Sequence, residues 1–185
     1  MKSPTLLAHD HSELDALLAA AFSALATGAI ERSFGTVDVF WARLAMHIRA
    51  EHLHLFPAVL GAIDAASEGK EGGGSPSREI AQARIAQLRE DHDYFMRELA
   101  AAIKELHALR GEQHDDEAAV LRKVQARIFA VSRRLEVHNK IEESEIYQWA
   151  GLLLEPLKQV ALNKRIEREL KNLPRRLETK SVPRE

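Results

Sequence analysis

At 185 residues the chain is long enough for one domain with a sizeable buried core and too short for two ordinary ones. Its formal charge is -2, with 26 basic and 28 acidic side chains interleaved, so no continuous basic face stands out for nucleic acid. Cysteine is absent, which excludes disulfides, thiolate zinc sites, cysteine-held iron-sulfur clusters and nucleophilic thiols; any metal must be held by nitrogen and oxygen.

Hydrophobic residues make up 45% of the chain but aromatics only 5%, and Ala, Leu, Glu and Arg prevail over strand-favouring residues. The expected class is all-α. The apolar run before His9 is too short for the core of a signal peptide. No stretch approaches the roughly 18 apolar residues of a membrane span. The reading is a cytoplasmic protein with no membrane and no nucleic-acid partner.

Ser3-Pro4 is a helix-start signal, and the first helix is expected to run to about Gly28. Its apolar stripe is Leu7, Leu14, Leu18, Phe22 and Leu25, and His11 fills the gap between Leu7 and Leu14. The second helix, from near Ser33, carries Val37, Phe40, Leu44, His47, Glu51 and Leu55 on one face, with Pro57 near its far end as a kinking position. Residues 67–77, rich in Gly and Ser, form a flexible linker. The third helix, from Pro76 to about Arg110, turns Ile85, Leu88, His92, Phe95, Leu99 and Leu106 inward. The fourth, from about Asp115 to Ala150, aligns Leu121, Val124, Ile128, Val131, Leu135, His138, Glu142 and Trp149. Beyond residues 1–155 come an accessory helix over 156–173 and a charged tail over 174–185, expected to be disordered.

The two halves resemble each other. Asp10-His11 matches Asp91-His92, and His47-Ile48-Arg49-Ala50-Glu51 matches His138-Asn139-Lys140-Ile141-Glu142. The aromatics Phe56 and Tyr147 each stand nine residues after a histidine. A repeated helical hairpin predicts an up-and-down antiparallel four-helix bundle of two hairpins plus the short C-terminal helix.

Histidine and glutamate four apart lie about 40° from each other around a helix, so each H-x-x-x-E pair addresses one point in space. His11 and His92 add a nitrogen from the preceding helix of each hairpin. At 1.5 Å per residue, His11 and His47 stand about 26 and 21 Å from their turn, and His92 and His138 about 27 and 35 Å from theirs. Ionised groups in an apolar core cost several kcal/mol each, against a domain stability of about 5 to 15 kcal/mol, so they require a shared partner. Two cations would supply it, with carboxylates bridging and imidazoles capping each metal. If Glu51 and Glu142 both bridge, the side chains and an oxo or hydroxo bridge fill about ten of twelve places around two octahedral metals, leaving about two open.

The set His11, His47 with Glu51 running on to Leu55-Phe56-Pro57, His92, and His138 with Glu142 resembles the bacterial hemerythrin-like (HHE cation-binding) family, over roughly residues 6 to 155. The resemblance implies an up-and-down four-helix bundle with a non-haem diiron centre. That centre would carry oxygen reversibly or serve in oxygen, nitric oxide or iron-related sensing and repair. Two features differ from the oxygen carriers. Leu88 and Met96 flank His92 where a second histidine would stand, and the fourth-helix acid comes after four residues rather than five. Both weaken the case for reversible oxygen carriage. His54 and Glu145, each seven residues after a motif histidine, are candidate replacement ligands.

The expected function is a diiron protein that binds or senses a small ligand, such as oxygen or nitric oxide. Alternatives are an oxidoreductase acting on peroxide, an iron storage or donation protein, and an interaction module with a zinc-filled site, zinc being a possible substitute for iron. Asp10 and Asp91 read either as acceptors for ligand imidazoles or as solvated acids. His9, His52, His107 and His114 read as surface residues. Phe40, Phe95, Met46, Met96, Trp41 and Trp149 read as ordinary core.

Overall fold

The structure is a computed structural model that describes residues 3–68, 76–110, 116–174 and 177. Among these residues all regular structure is helical. Helix α1 (Ser3–Ala26) ends at a turn in which Gly28 adopts φ 69°, the left-handed conformation that suits a residue without Cβ. There Gly28 N–H donates to the Leu25 carbonyl at 3.2 Å and Ala29 N–H to that of Ala24 at 3.3 Å, which satisfies the last turn of α1 and sends the chain back along it.

Helix α2 (Ile30–Ala50) passes into a single π-helical turn (Glu51–Leu55) and then into α3 (Phe56–Glu68) without a break. The helix therefore continues through Pro57 rather than finishing near it. Pro57 is the second residue after the widened turn, where the regular bond pattern is already interrupted and its ring and missing N–H are tolerated. The proline is not the cause of that turn. The fourth long helix repeats the arrangement without one: α5 (Glu117–Ile141), a π turn (Glu142–Ile146), then α6 (Tyr147–Leu153).

Between these lies α4 (Arg78–Ala108), whose first turn is capped by the Ser77 hydroxyl accepting from Ile80 N–H at 3.3 Å. Of the segment read as a linker, residues 67 and 68 belong to α3, and residues 69–75 lie outside the described residues. After Pro156 at its first position, α7 (Pro156–Leu170) forms the accessory helix. Of the tail, Leu177 is buried and its N–H reaches the Pro174 carbonyl at 2.8 Å; residues 175, 176 and 178–185 lie outside the described residues.

Helix α1 packs on α2 and α5, and α4 packs on α5 and α2; α7 lies across α1, α2 and the first π turn. The inward stripes read from the sequence meet in two apolar clusters. One gathers Leu14, Leu18, Leu25, Phe40, Leu44, Phe95, Leu99, Ile128 and Leu135. The other gathers Leu7, Leu55, Phe56, Ile85, Leu88, Ile146 and Tyr147, with Leu162 and Ile166 of α7. Along every long helix the motif histidines and glutamates fall between these clusters, so the core is interrupted by one polar layer. No helix among the described residues is long and apolar enough to cross a membrane.

Candidate metal centre

The polar layer contains His11 from α1, His47 from α2, Glu51 from the first π turn, His92 from α4, His138 from α5 and Glu142 from the second π turn, all buried. Two groups of ligand atoms within it could each hold a metal ion: His11, His47 and Glu142, and Glu51, His92, His138 and Glu142.

The facing nitrogens stand close together. His11 Nε2 lies 3.2 Å from His47 Nε2, and His92 Nε2 lies 3.0 Å from His138 Nε2. The glutamates divide their oxygens between the two pairs. Glu51 Oε1 lies 3.4 Å from His47 Nε2 and its Oε2 3.3 Å from His92 Nε2. Glu142 Oε2 lies 3.3 Å from His11 Nε2 and its Oε1 3.0 Å from His138 Nε2.

All four Nε2 atoms are aimed inward because each ring is held from behind. His47 Nδ1 reaches Asp10 Oδ2 at 2.8 Å, and His138 Nδ1 reaches Asp91 Oδ2 at 3.2 Å. A carboxylate can only accept, so the imidazoles donate from Nδ1 and, when neutral, carry a bare lone pair on Nε2. Each aspartate is itself gripped by an arginine one helical turn before the histidine it supports: Arg43 Nη2 at 2.7 Å from Asp10, and Arg134 Nε at 2.5 Å from Asp91. Of the two readings open for these aspartates, the structure selects that of acceptor for the imidazole.

The first-helix histidines are held across the hairpins. His11 Nδ1 donates to Glu143 Oε1 at 2.9 Å, while His92 Nδ1 pairs with His52 Nε2, also at 2.9 Å. His52, read as a surface residue, is therefore a half-buried support for His92. Burial, with the charges of His92 and Arg89, lowers its pKa and favours a neutral acceptor. The one-residue step from Glu51 to His52 and from Glu142 to Glu143 carries these supports, a register visible only once the repeat is folded.

His54 and Glu145 do not join the layer. His54 lines a cavity of about 600 Å³ between α3 and α7 and lies 3.9 Å from Glu169, and Glu145 is bound by Arg84 at 2.8 Å. The seven-residue spacing holds only in an uninterrupted α-helix, and His54 and Glu145 each lie within a π turn, whose widening rotates them off that face. The same rotation brings in Tyr147, to which the spacing assigned no place at the site. Tyr147 N–H bonds the Glu142 carbonyl five residues back, which stacks the tyrosine over Glu142. Its hydroxyl lies 3.0 Å from Glu51 Oε1, 3.2 Å from His11 Nε2 and 3.3 Å from Glu142 Oε2. Phe56, its counterpart, bonds Glu51 in the same way and stacks on His92 with ring centroids 6.2 Å apart. Of the other histidines, His9 and His107 are exposed, and His114 lies outside the described residues. Phe40 and Phe95 are buried core, with Phe95 standing edge-on to His138 at 5.3 Å.

Without a cation the layer would draw protons. Burial depresses the His47 imidazole, but the Glu51 charge and the Asp10 hydrogen bond outweigh it and lift the pKa well above the usual value. His138 rises to about 9 in the same way, through Glu142 and Asp91. Burial pushes the Glu51 carboxyl up, and the two neighbouring imidazoles bring it well below the ordinary range. Even so, Glu51 Oε2 and Glu142 Oε1 are buried with no hydrogen-bond partner. Two orphaned carboxylate oxygens beside two inward imidazole nitrogens fit a cation in that position, since an unpartnered buried polar atom costs about 1–3 kcal/mol and more when charged. The nitrogen and oxygen donors suit a first-row transition metal.

A surface cavity of about 310 Å³ is lined by His11, Asp15, Glu136, Lys140 and Glu143 between α1 and α5. It brings solvent to the edge of the layer at His11. Comparison with protein-family models, with curated proteins and with solved structures gave no match.

Proposed function

We propose that the chain is an up-and-down four-helix bundle of the hemerythrin-like kind that holds two iron ions bridged by Glu51, Glu142 and an oxo or hydroxo group. His11 and His47 would cap one ion and His92 and His138 the other. A further proposal is that it binds or senses a small ligand, oxygen, nitric oxide or a related molecule, at a coordination place the protein leaves open. The observation that carries this reading is the division of the glutamates: each buried carboxylate turns one oxygen to each histidine pair, the arrangement two bridged cations require.

The chemistry such a centre supplies is Lewis acidity and electron exchange with a small ligand. The chain's own groups do the rest. Asp10 and Asp91 fix the tautomers of His47 and His138, Glu143 and His52 orient His11 and His92, and the two apolar clusters keep bulk water from the layer. Zinc is the competing occupant, because nitrogen donors favour it over iron(II).

The test is metal content together with the absorption spectrum of protein produced in iron-rich medium, reduced without air and then exposed to oxygen, nitric oxide or azide. About two irons per chain, with a spectrum that changes on exposure, is the result expected from the site count. One metal or none, or two irons indifferent to all three ligands, would overturn the reading.

A further inference from the structure

The two halves of the layer are related by an approximate two-fold repeat, and the repeat is broken where Tyr147 replaces Phe56. Around the Tyr147 hydroxyl stand three acceptors: Glu51 Oε1 at 3.0 Å, His11 Nε2 at 3.2 Å and Glu142 Oε2 at 3.3 Å. A phenol has one proton, so it can donate to one of the three. The other two then face oxygen lone pairs at hydrogen-bond distance inside a buried layer, an arrangement that needs a further proton or a cation among them. His11 itself donates from Nδ1 to Glu143 and so has no proton to offer from Nε2 as a neutral ring.

The separations have a simple geometric meaning. Two ligand atoms about 2.1 Å from one metal ion and at right angles to each other lie roughly 3.0 Å apart. The Tyr147 hydroxyl keeps such separations from atoms of three of the residues at the His11 end of the layer. His47 Nε2 completes the group, at 3.2 Å from His11 Nε2 and 3.4 Å from Glu51 Oε1.

We propose that Tyr147 is a direct ligand of the metal ion held by His11 and His47. The inference rests on the two-metal reading above. On ligation the phenolic O–H bond is replaced by an oxygen–metal bond and the proton passes to solvent, with no change of oxidation state. Five protein atoms then hold this ion: His11 Nε2, His47 Nε2, Glu51 Oε1, Glu142 Oε2 and the Tyr147 oxygen. The other ion has four, His92 Nε2, His138 Nε2, Glu51 Oε2 and Glu142 Oε1, and the residue matching Tyr147 in that half is Phe56, whose ring stacks on His92 and offers no donor atom. One of the places left open by the histidines and glutamates is thereby closed, and the two positions become chemically different. An anionic oxygen donor favours the trivalent state at the tyrosine end.

A phenolate bound to iron(III) announces itself by an intense visible charge-transfer band and by tyrosine ring modes in the resonance Raman spectrum excited within it. The chain has two tyrosines, and the other, Tyr94, stacks against Arg134 with its ring 4.5 Å from the guanidinium. The experiment is therefore to load the full chain with iron(III), measure metal content and helicity, and record both spectra for the wild type and for Tyr147→Phe. Expected is a band with tyrosinate modes in the wild type, lost in Tyr147→Phe while two irons and the helicity remain. Two irons without the band, or the same band in the variant, overturns the ligand assignment and leaves the two-metal reading standing. Fewer than two irons in the wild type overturns both. If the variant loses iron or fails to fold, ring-deuterated tyrosine in the wild type decides: Raman modes that shift support the ligation, and their absence overturns it.

Discussion

Asp10 accepts a hydrogen bond from His47 Nδ1 at 2.8 Å while its other oxygen is held by Arg43 at 2.7 Å. The aspartate thus decides which nitrogen of the imidazole faces the layer. Asp10→Asn keeps the shape but permits the opposite tautomer, and removal of such a support typically costs about 10–100-fold in metal affinity. Competition against a chelator of known affinity measures it. Asp91→Asn should act in the same way on His138, and an affinity unchanged in both variants would remove the supporting role assigned to the pair.

Glu51 has an oxygen in each half of the layer, so Glu51→Ala should lower occupancy at both positions rather than at one. It also strips a counter-charge from His47 and His92, and breaking a buried ion pair on one side costs about 3–5 kcal/mol. Metal analysis and denaturant unfolding of the metal-free variant check the two effects separately. Full loading of two ions in Glu51→Ala would contradict the bridging assignment.

The pH dependence of the metal-free fold is set by His138 and His47. His138 titrates near 9 in the folded chain against 6.5 for the free side chain. A raised pKa stabilises the fold fully below about pH 6.5, and that stabilisation, roughly 3 kcal/mol, is lost as pH rises through about 9. His47 shifts in the same direction. Metal ions compete with these protons, so the difference in melting temperature between loaded and metal-free protein should widen from pH 6.5 to 9. Melting curves that stay parallel over that window would contradict the competition between proton and metal.

His54→Ala and Glu145→Ala should leave metal stoichiometry unchanged, because His54 faces α7 and Glu145 is bound to Arg84. Both variants are expected to load two ions in the same metal analysis. Loss of an ion in either would show that a group outside the layer completes it.

The helical class was legible from composition, and the inward stripes from their three- and four-residue steps, because packing in a helical core obeys the 3.6-residue period. The same steps carried His11, His47, Glu51, His92, His138 and Glu142 into one layer, since none lies beyond the point at which its helix departs from α geometry. Positions past the π turns were not legible. Counted at 3.6 residues per turn, Tyr147 stands half a turn away from His138, on the outside; the i to i−5 bond to Glu142 rotates it inward. That widening also diverted His54 and Glu145, for which the spacing had been read as continuous. His52 and Glu143 were illegible for another reason: each supports a histidine of the opposite hairpin, a relation with no local spacing.

Those crossed supports bear on how the site comes into being. Each histidine pair belongs to one hairpin, His11 with His47 and His92 with His138, but the carboxylate and the ring support that complete each pair arrive from the other. A lone hairpin can offer two imidazoles and one glutamate, yet it cannot orient its own first histidine. The ion capture proposed above would therefore be a late event in assembly, one that registers the docking of the two halves and would hold them together thereafter.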